Sequence, residues 1–379
     1  MLEGFSLSGT VGLLQLSYGN ILMMAIGLLF IYLGIKRRME PYELLPIGIG
    51  IILGNLPLAR FMNLPSDQIQ AAGLLGVLYY YGLYFWNILP PLIFLGLGAM
   101  LDFGPLLARP KLIIFGAAAQ VGIFIALFGA LGLGLPIEHA ASIAIIGGAD
   151  GPTTIYTTAL LAPEVLALTG VAAYSYMALV ALIQPPIMRV LTTKEERKIV
   201  MKETREVSRL ERILFPLVML ILIVLLVPLA APLIGMLMLG NLLRESGVVP
   251  RLSYAVQNEL LNLVTLFLML CIGASFSAEA VLHVETLYIF ALGLLAFACG
   301  SGGGILLAKL HNLVFKDKVN PLIGSAGVSA VPMAARVSHA MAQKEDPENF
   351  LLPHALGPNV AGVIGSAVVA GVFLGGLAV

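Results

Sequence analysis

Pro46 to Leu56 reads PIGIGIILGNL, and Pro232 to Leu242 reads PLIGMLMLGNL. The shared Leu-Gly-Asn-Leu recurs 186 residues later. Further correspondences follow at offsets of about 175 to 180: Gly98-Ala99 matches Gly273-Ala274, and GADGP at 148–152 lies opposite GVSAVP at 327–332. Self-similarity at a fixed spacing marks two copies of one structural unit. What kind of unit follows from composition. Of 379 residues, 59% are hydrophobic and 11% charged, with a mean hydropathy of +0.98. Soluble domains carry about 25% charged residues, so the chain reads as an all-α integral membrane protein.

The charges balance, 21 Lys+Arg against 21 Asp+Glu, which leaves no basic face for a phosphate backbone and excludes a nucleic-acid partner. Cys271 and Cys299 lie in apolar runs without CxxC or Cys/His spacing and read as small core residues. No Lys or Arg precedes Lys36 and Glu3 is acidic, so no secretory signal is expected and the amino terminus is read as staying on the mature protein.

Apolar stretches near the ~20 residues that cross a bilayer fall at about 18–35, 41–57, 75–103, 111–134 and 165–189, then at 213–231, 232–243, 256–277, 286–308 and 353–377. Between the two sets, Arg189 to Arg212 carries eight Lys+Arg and five Glu, a solvated helical linker by its i,i+4 charge spacing. The positive-inside rule makes it cytoplasmic, together with Lys36-Arg37-Arg38, Arg109 with Lys111, Arg244 with Arg251, and Lys309 to Lys318. Five crossings per half satisfy these clusters, Arg60 excepted, only if 140–161 and 320–343 enter and return as re-entrant hairpins. An odd number of crossings inverts the second copy relative to the first, the plan of many secondary transporters. The expected organisation is a first repeat over 1–189, a linker over 190–212 and an inverted second repeat over 213–379. That gives about ten transmembrane helices plus two opposed hairpins, in an elevator-type arrangement.

The hairpin tips carry the chemistry. Broken backbone at membrane depth survives only where it is buried in protein or lines a cavity, and Gly147-Gly148-Ala149-Asp150-Gly151-Pro152 surrounds one carboxylate with glycines and proline. A charge at the bilayer centre costs roughly 2.5 to 3.5 kcal/mol, so Asp150 calls for a bound cation or a proton. The bland alternative is an Asp that caps the helix beginning near Thr153. The partner hairpin offers Asn320, Gly324, Ser325, Ser329 and Arg336, and the last span opens on Gly357-Pro358-Asn359-Val360-Ala361-Gly362. Hydroxyl, amide, carbonyl and one carboxylate form an all-oxygen donor set, which favours Na⁺ over a divalent ion. Arg336 suits an anion held through two hydrogen bonds, or a cytoplasmic-edge anchor.

GGADGPTTIY at 147–156, NPLIGSAGVSAVPMAAR at 320–336 and HALGPNVAGVIGSAV at 354–368 resemble the β subunit of the sodium-pumping, biotin-dependent decarboxylases, the membrane subunits for oxaloacetate, glutaconyl-CoA, methylmalonyl-CoA and malonate decarboxylation. The resemblance covers essentially the whole chain. It implies a multi-pass protein of the bacterial inner membrane that releases CO₂ from carboxybiotin and drives Na⁺ outward, consuming a proton. By the resemblance, Asp150 corresponds to the essential carboxylate, with Asn359 as companion Na⁺ ligand, and Ser329 and Asn320 join the Na⁺ set. Asn320, Gly324 and Arg336 serve carboxybiotin, and Tyr176, placed by its spacing after the aspartate, is catalytic with Asp150 and Arg336. On the residues alone Tyr174 and Tyr176 are equivalent.

Carboxybiotin is expected on a partner, because Met201-Lys202-Glu203 lies in a charged linker without the strands of a biotin-carrier domain. The implied partners are a carboxyltransferase and biotin-carrier subunit on the cytoplasmic face, a small membrane-anchoring subunit and further copies of this chain. The pattern GxxxxGK[ST] does not occur, so ATP is not the energy source. His139, His283, His311, His339 and His354 share no spacing for zinc. The competing function is a plain Na⁺- or H⁺-coupled carrier of an organic anion, and a channel is disfavoured by the two opposed breaks.

Overall fold

In the computed structural model, which describes residues 11–65, 72–202, 205–281 and 283–377, the chain is all-helical. Among the described residues, six helices are long and apolar enough to cross a membrane: Tyr18–Lys36, Pro110–Gly132, Pro163–Leu191, Pro250–Ser275, Val284–Val314 and Leu352–Leu377. A seventh crossing results if Leu74–Phe85 and Leu89–Met100, bent by 77° at Trp86–Ile88, are taken together. The predicted span at 213–231 falls on Arg209–Leu226, whose 18 residues include Arg209, Glu211 and Arg212 and which is not among the six, and two other predicted spans are shorter. Pro41–Gly54 has 14 residues and Ala231–Ser246 has 16, about 21 and 24 Å at 1.5 Å per residue, short of a ~30 Å core. Prolines and glycines decide this: Pro41 and Pro232 sit in the first turns, and Gly247 closes the second helix at φ +67°.

Both copies of the Leu-Gly-Asn-Leu motif make the same kind of contact. Pro41–Gly54 lies so close to Leu261–Ser275 that a methyl group on Gly54 would meet the Ala274 backbone, and Asn55 donates from Nδ2 to the Phe276 carbonyl at 2.9 Å. Ala231–Ser246 lies equally close to Leu89–Met100: a methyl group on Gly240 would meet the Leu95 carbonyl, and Asn241 donates to the Leu101 carbonyl at 3.1 Å. Leu101 and Phe276 are themselves 175 residues apart. Each motif therefore clasps the opposite half of the chain. The clasped helices share another feature, a π-helical segment just upstream, Tyr80–Phe85 in one half and Val256–Leu260 in the other.

The interior is filled by Phe94, Phe115, Tyr174 and Phe297, all close to fully buried. Leu225, Leu226, Leu287, Leu313 and Val190 instead point outward with most of their surface open, an apolar exterior that only lipid would cover. Glycines at 300–304 permit backbone packing: Gly304 lies against Gly324, and Gly300 against Ala119 and Gly147. On the basic side the linker is fastened rather than free. Arg197 pairs with Glu345 at 2.7 Å, and Asn320 and Asn349 both donate to the carbonyls of Arg197 and Ile199. Arg205 holds Glu211 at 2.6 Å and draws its carboxyl down to about 2.

Candidate functional site

The first break runs from Ile137–Ala144 through a 3₁₀ turn at Ile145–Gly148, past Ala149 at φ +53°, to Asp150 at the head of Gly151–Leu161. Asp150 caps that helix: Oδ1 accepts from the Thr153 amide at 3.1 Å. Its other oxygen does something a cap does not require. Oδ2 accepts from the Ser366 hydroxyl at 2.7 Å, and Ser366 Oγ lies 3.2 Å from Ser329 Oγ. The second break, between Leu322–Ser325 and Met333–Glu345, touches the first directly, because the Ser329 amide donates to the Gly148 carbonyl at 2.8 Å. Asn359 holds that tip in shape by donating to the carbonyls of Ala326 and Val328 at 2.9 and 2.7 Å.

Several buried oxygens around this junction accept from no protein donor: Thr153 Oγ1, Gln120 Oε1 and Asn359 Oδ1. The Gln120 carboxamide sits beside Gly148 and Gly365 and donates to the Gly116 and Gly362 carbonyls. Buried polar atoms are normally satisfied, so three open acceptors beside a buried carboxylate and two hydroxyls describe a place for a cation. Every donor is oxygen, and among the described residues no three His, Cys, Asp or Glu side chains converge, so a hard ion of low charge fits and a thiolate- or imidazole-bound metal does not.

The remaining predicted residues lie elsewhere. Asn320 is occupied by the linker backbone and by the Leu322 amide at 3.1 Å, and Gly324, in the helix before the second break, lies against Gly304. Tyr176 donates its hydroxyl to the Phe290 carbonyl, with its ring edge-on to Phe290 and against Gly293. The aromatic next to Asp150 is Tyr174: a methyl group on Gly151 would run into its ring, and its hydroxyl is buried without a partner. Arg336 is exposed near the start of Met333–Glu345. It faces Glu40, whose carboxyl is pushed up by burial and pulled back by the Arg336 guanidinium. Ser366 and Gln120 are the residues that sequence reading does not single out, and of the two tyrosines that are equivalent on the residues alone, the one beside Asp150 is Tyr174. The sequence signal of Ser366 and Gln120 is slight, one polar side chain each in an apolar or small-residue run.

Two helix breaks meeting over an oxygen-lined acidic site describe a membrane protein whose interior is suited to an ion. Comparison with known proteins specifies it further. The family model for the Na⁺-transporting oxaloacetate decarboxylase beta subunit matches residues 19–377. The methylmalonyl-CoA decarboxylase subunit beta of Propionigenium modestum is 54% identical, the match covering 96% of each chain. The glutaconyl-CoA decarboxylase subunit beta of Acidaminococcus fermentans is 52% identical, covering 96% of this chain and 94% of its own. The oxaloacetate decarboxylase beta chain 2 of Salmonella typhi is 50% identical, covering 96% of each. This chain belongs to the family of β subunits of Na⁺-transporting decarboxylases. It is a multi-pass membrane protein of the decarboxylase and translocase class.

Proposed function

We propose that this chain decarboxylates carboxybiotin brought by a partner subunit and couples the release of CO₂ to outward movement of Na⁺, with uptake of one proton. The observation that carries the proposal is the Asp150–Ser366–Ser329 junction, where a carboxylate and two hydroxyls from three elements meet among open acceptors. Na⁺ is the transported substrate, held by Asp150, Ser366 and Ser329 with Thr153 and Asn359 in supporting positions. Arg336 lies outside the junction and is exposed, which suits it to receive the carboxylate of an arriving carboxybiotin. The carboxyltransferase and biotin-carrier partner docks on that face, beside the fastened linker. A small anchoring subunit and further copies of the chain complete the assembly.

The two halves, 1–189 and 213–379, are taken as inverted repeats with hairpins at 140–161 and 320–343, moving in an elevator-type cycle. The reciprocal Asn55 and Asn241 clasps support this pairing. A carrier without chemistry would use the same cation site, so the deciding experiment measures CO₂. Vesicles carrying the assembled complex are given carboxybiotin on the protein's cytoplasmic face, with and without Na⁺. The expected outcome is Na⁺-dependent CO₂ release that Asp150→Asn abolishes. Na⁺-driven uptake of an organic anion without CO₂ would refute it.

A further inference from the structure

Ile272 and Gly273 mark one level of the bundle. Gly170 of Pro163–Leu191 lies against the Ile272 side chain, and Gly273 lies against the Ile47 carbonyl of Pro41–Gly54. One helical turn further toward the Lys36–Arg38 turn and the linker come Tyr174 on the first of these helices and Glu43 on the second. Both carry a buried oxygen with no hydrogen-bond partner, Tyr174 Oη and Glu43 Oε2. The Tyr174 hydroxyl lies against Gly151, next to Asp150, and Glu40, three residues before Glu43, precedes the same helix at its N-cap, where its carboxyl is pulled back by the Arg336 guanidinium. Asp150, Tyr174, Glu43, Glu40 and Arg336 thus form one line from the cation site to the basic face. The other helices packed on Glu43's helix present Gly27, Ile31, Leu270 and Gly273 at their contacts, and Lys36, Arg37 and Arg38 precede it in the chain. Glu43 is half-buried with Oε2 closed off and unpartnered, and an acid so placed is a candidate functional group.

Resting on the function proposed above, we infer that Glu43 is the acid that supplies the proton consumed in decarboxylation, and that Tyr174 links it to the cation at Asp150. When the N–C bond of carboxybiotin breaks, CO₂ leaves and the electron pair stays on the ureido nitrogen. That nitrogen takes the proton released by the Glu43 carboxyl, and water restores it. A cation arriving at Asp150 is the largest local charge change and favours proton loss along the line, so Na⁺ binding readies the acid.

The test uses the complete complex in vesicles, following CO₂ release against pH at saturating Na⁺, with Na⁺-dependent thermal stabilisation as the readout of ion binding. Glu43→Gln lowers the rate by about 100-fold and removes one limb of the pH profile while the Na⁺-dependent stabilisation persists. Glu43→Asp recovers activity with that limb displaced, and Tyr174→Phe weakens the dependence of the limb on Na⁺. A Glu43→Gln complex with an unchanged rate and profile overturns the inference. So does one that loses stabilisation by Na⁺ together with activity, since that marks a structural role. If Glu43→Gln does not assemble, Glu43→Asp decides: a displaced limb supports the assignment and an unmoved one refutes it. Asp150→Asn tests the underlying function separately, because Na⁺ dependence surviving in that variant sinks the cation site whatever Glu43 does.

Discussion

Ser366→Ala isolates the part of the site that motif reading omits. The hydroxyl donates to Asp150 Oδ2 at 2.7 Å and lies 3.2 Å from Ser329 Oγ, with Ser366 itself fully buried. Alanine keeps the β-carbon, which is the atom that faces Gly148, so the packing is unchanged and only an oxygen is lost. A hydrogen bond to a charged acceptor contributes about 1.5–3 kcal/mol. If that hydroxyl oxygen turns to the ion, its loss raises the half-saturating Na⁺ concentration about 10- to 100-fold, at about 1.4 kcal/mol per decade. The assay is CO₂ release from the assembled complex titrated with Na⁺ at constant ionic strength, with thermal unfolding as a check. The expected result is a displaced Na⁺ curve from a complex that still folds and assembles, with a modestly lowered melting temperature. An unmoved Na⁺ curve would show that the ion does not bind at the Asp150–Ser366–Ser329 junction.

Three further outcomes follow from the packing and the linker. Gly98→Ala places a methyl group on the Leu237 carbonyl, and because the atom it meets is backbone the variant should lose about 3 kcal/mol. Gly132→Ala meets nothing within 4 Å and should change stability by less than about 1 kcal/mol; melting temperatures of the two in detergent check the contrast. Asn241→Leu leaves the buried Leu101 carbonyl without its donor and should cost about 1–3 kcal/mol, with Asn55→Leu behaving alike if the two clasps are equivalent. The Arg197 guanidinium holds the Glu345 carboxyl below its usual 4.5. That contribution is therefore complete above about pH 4.5 and is lost as pH falls through the lower, folded value. Hydrogen exchange over residues 194–202, corrected for its intrinsic rate, should speed up on acidification, and Arg197→Gln should remove that response.

The site was legible where helix breakers surround a charge. Asp150 stands among three glycines and a proline, and Asn359 follows Gly357-Pro358; both belong to the junction. Ser366 was not, because a lone serine in an apolar helix reads the same whether it faces a carboxylate or bonds its own backbone. For Asn320 the residue type was informative but the partner was not, since an amide serves an ion or two linker carbonyls equally well. Tyr174 and Tyr176 show the limit of spacing. They lie two positions apart, hence about 200° around the helix, so one meets Gly151 and the other Phe290. The fold followed the same division. Apolar length predicted the six long helices, whereas 41–57 and 232–243 are apolar without being long: Gly54 and Asn55 close the first in contact with the other half, and Gly247 ends the second at φ +67°.

On the elevator-type cycle proposed above, burial of Asp150 sets how tightly transport can follow chemistry. Residue and site are almost closed to solvent, and an uncompensated charge at such depth costs roughly 2.5–3.5 kcal/mol. Converted to populations, a hairpin carrying the bare carboxylate is about 60- to 300-fold less able to change sides than one neutralised by Na⁺ or a proton. Coupling then needs no tight binding of Na⁺. It needs the empty charged site to stay put, which the Ser329 amide and the Asn359 clasp of the opposite tip favour by keeping the breaks in register. Asn359→Ala should therefore act on coupling before it acts on chemistry: the Ala326 and Val328 carbonyls lose their donor while Asp150 and Ser366 remain. The measurement is the number of Na⁺ ions moved per CO₂ released in sealed vesicles. A ratio that falls while CO₂ release persists fits this account, and a ratio held at the wild-type value while both rates drop together would refute it.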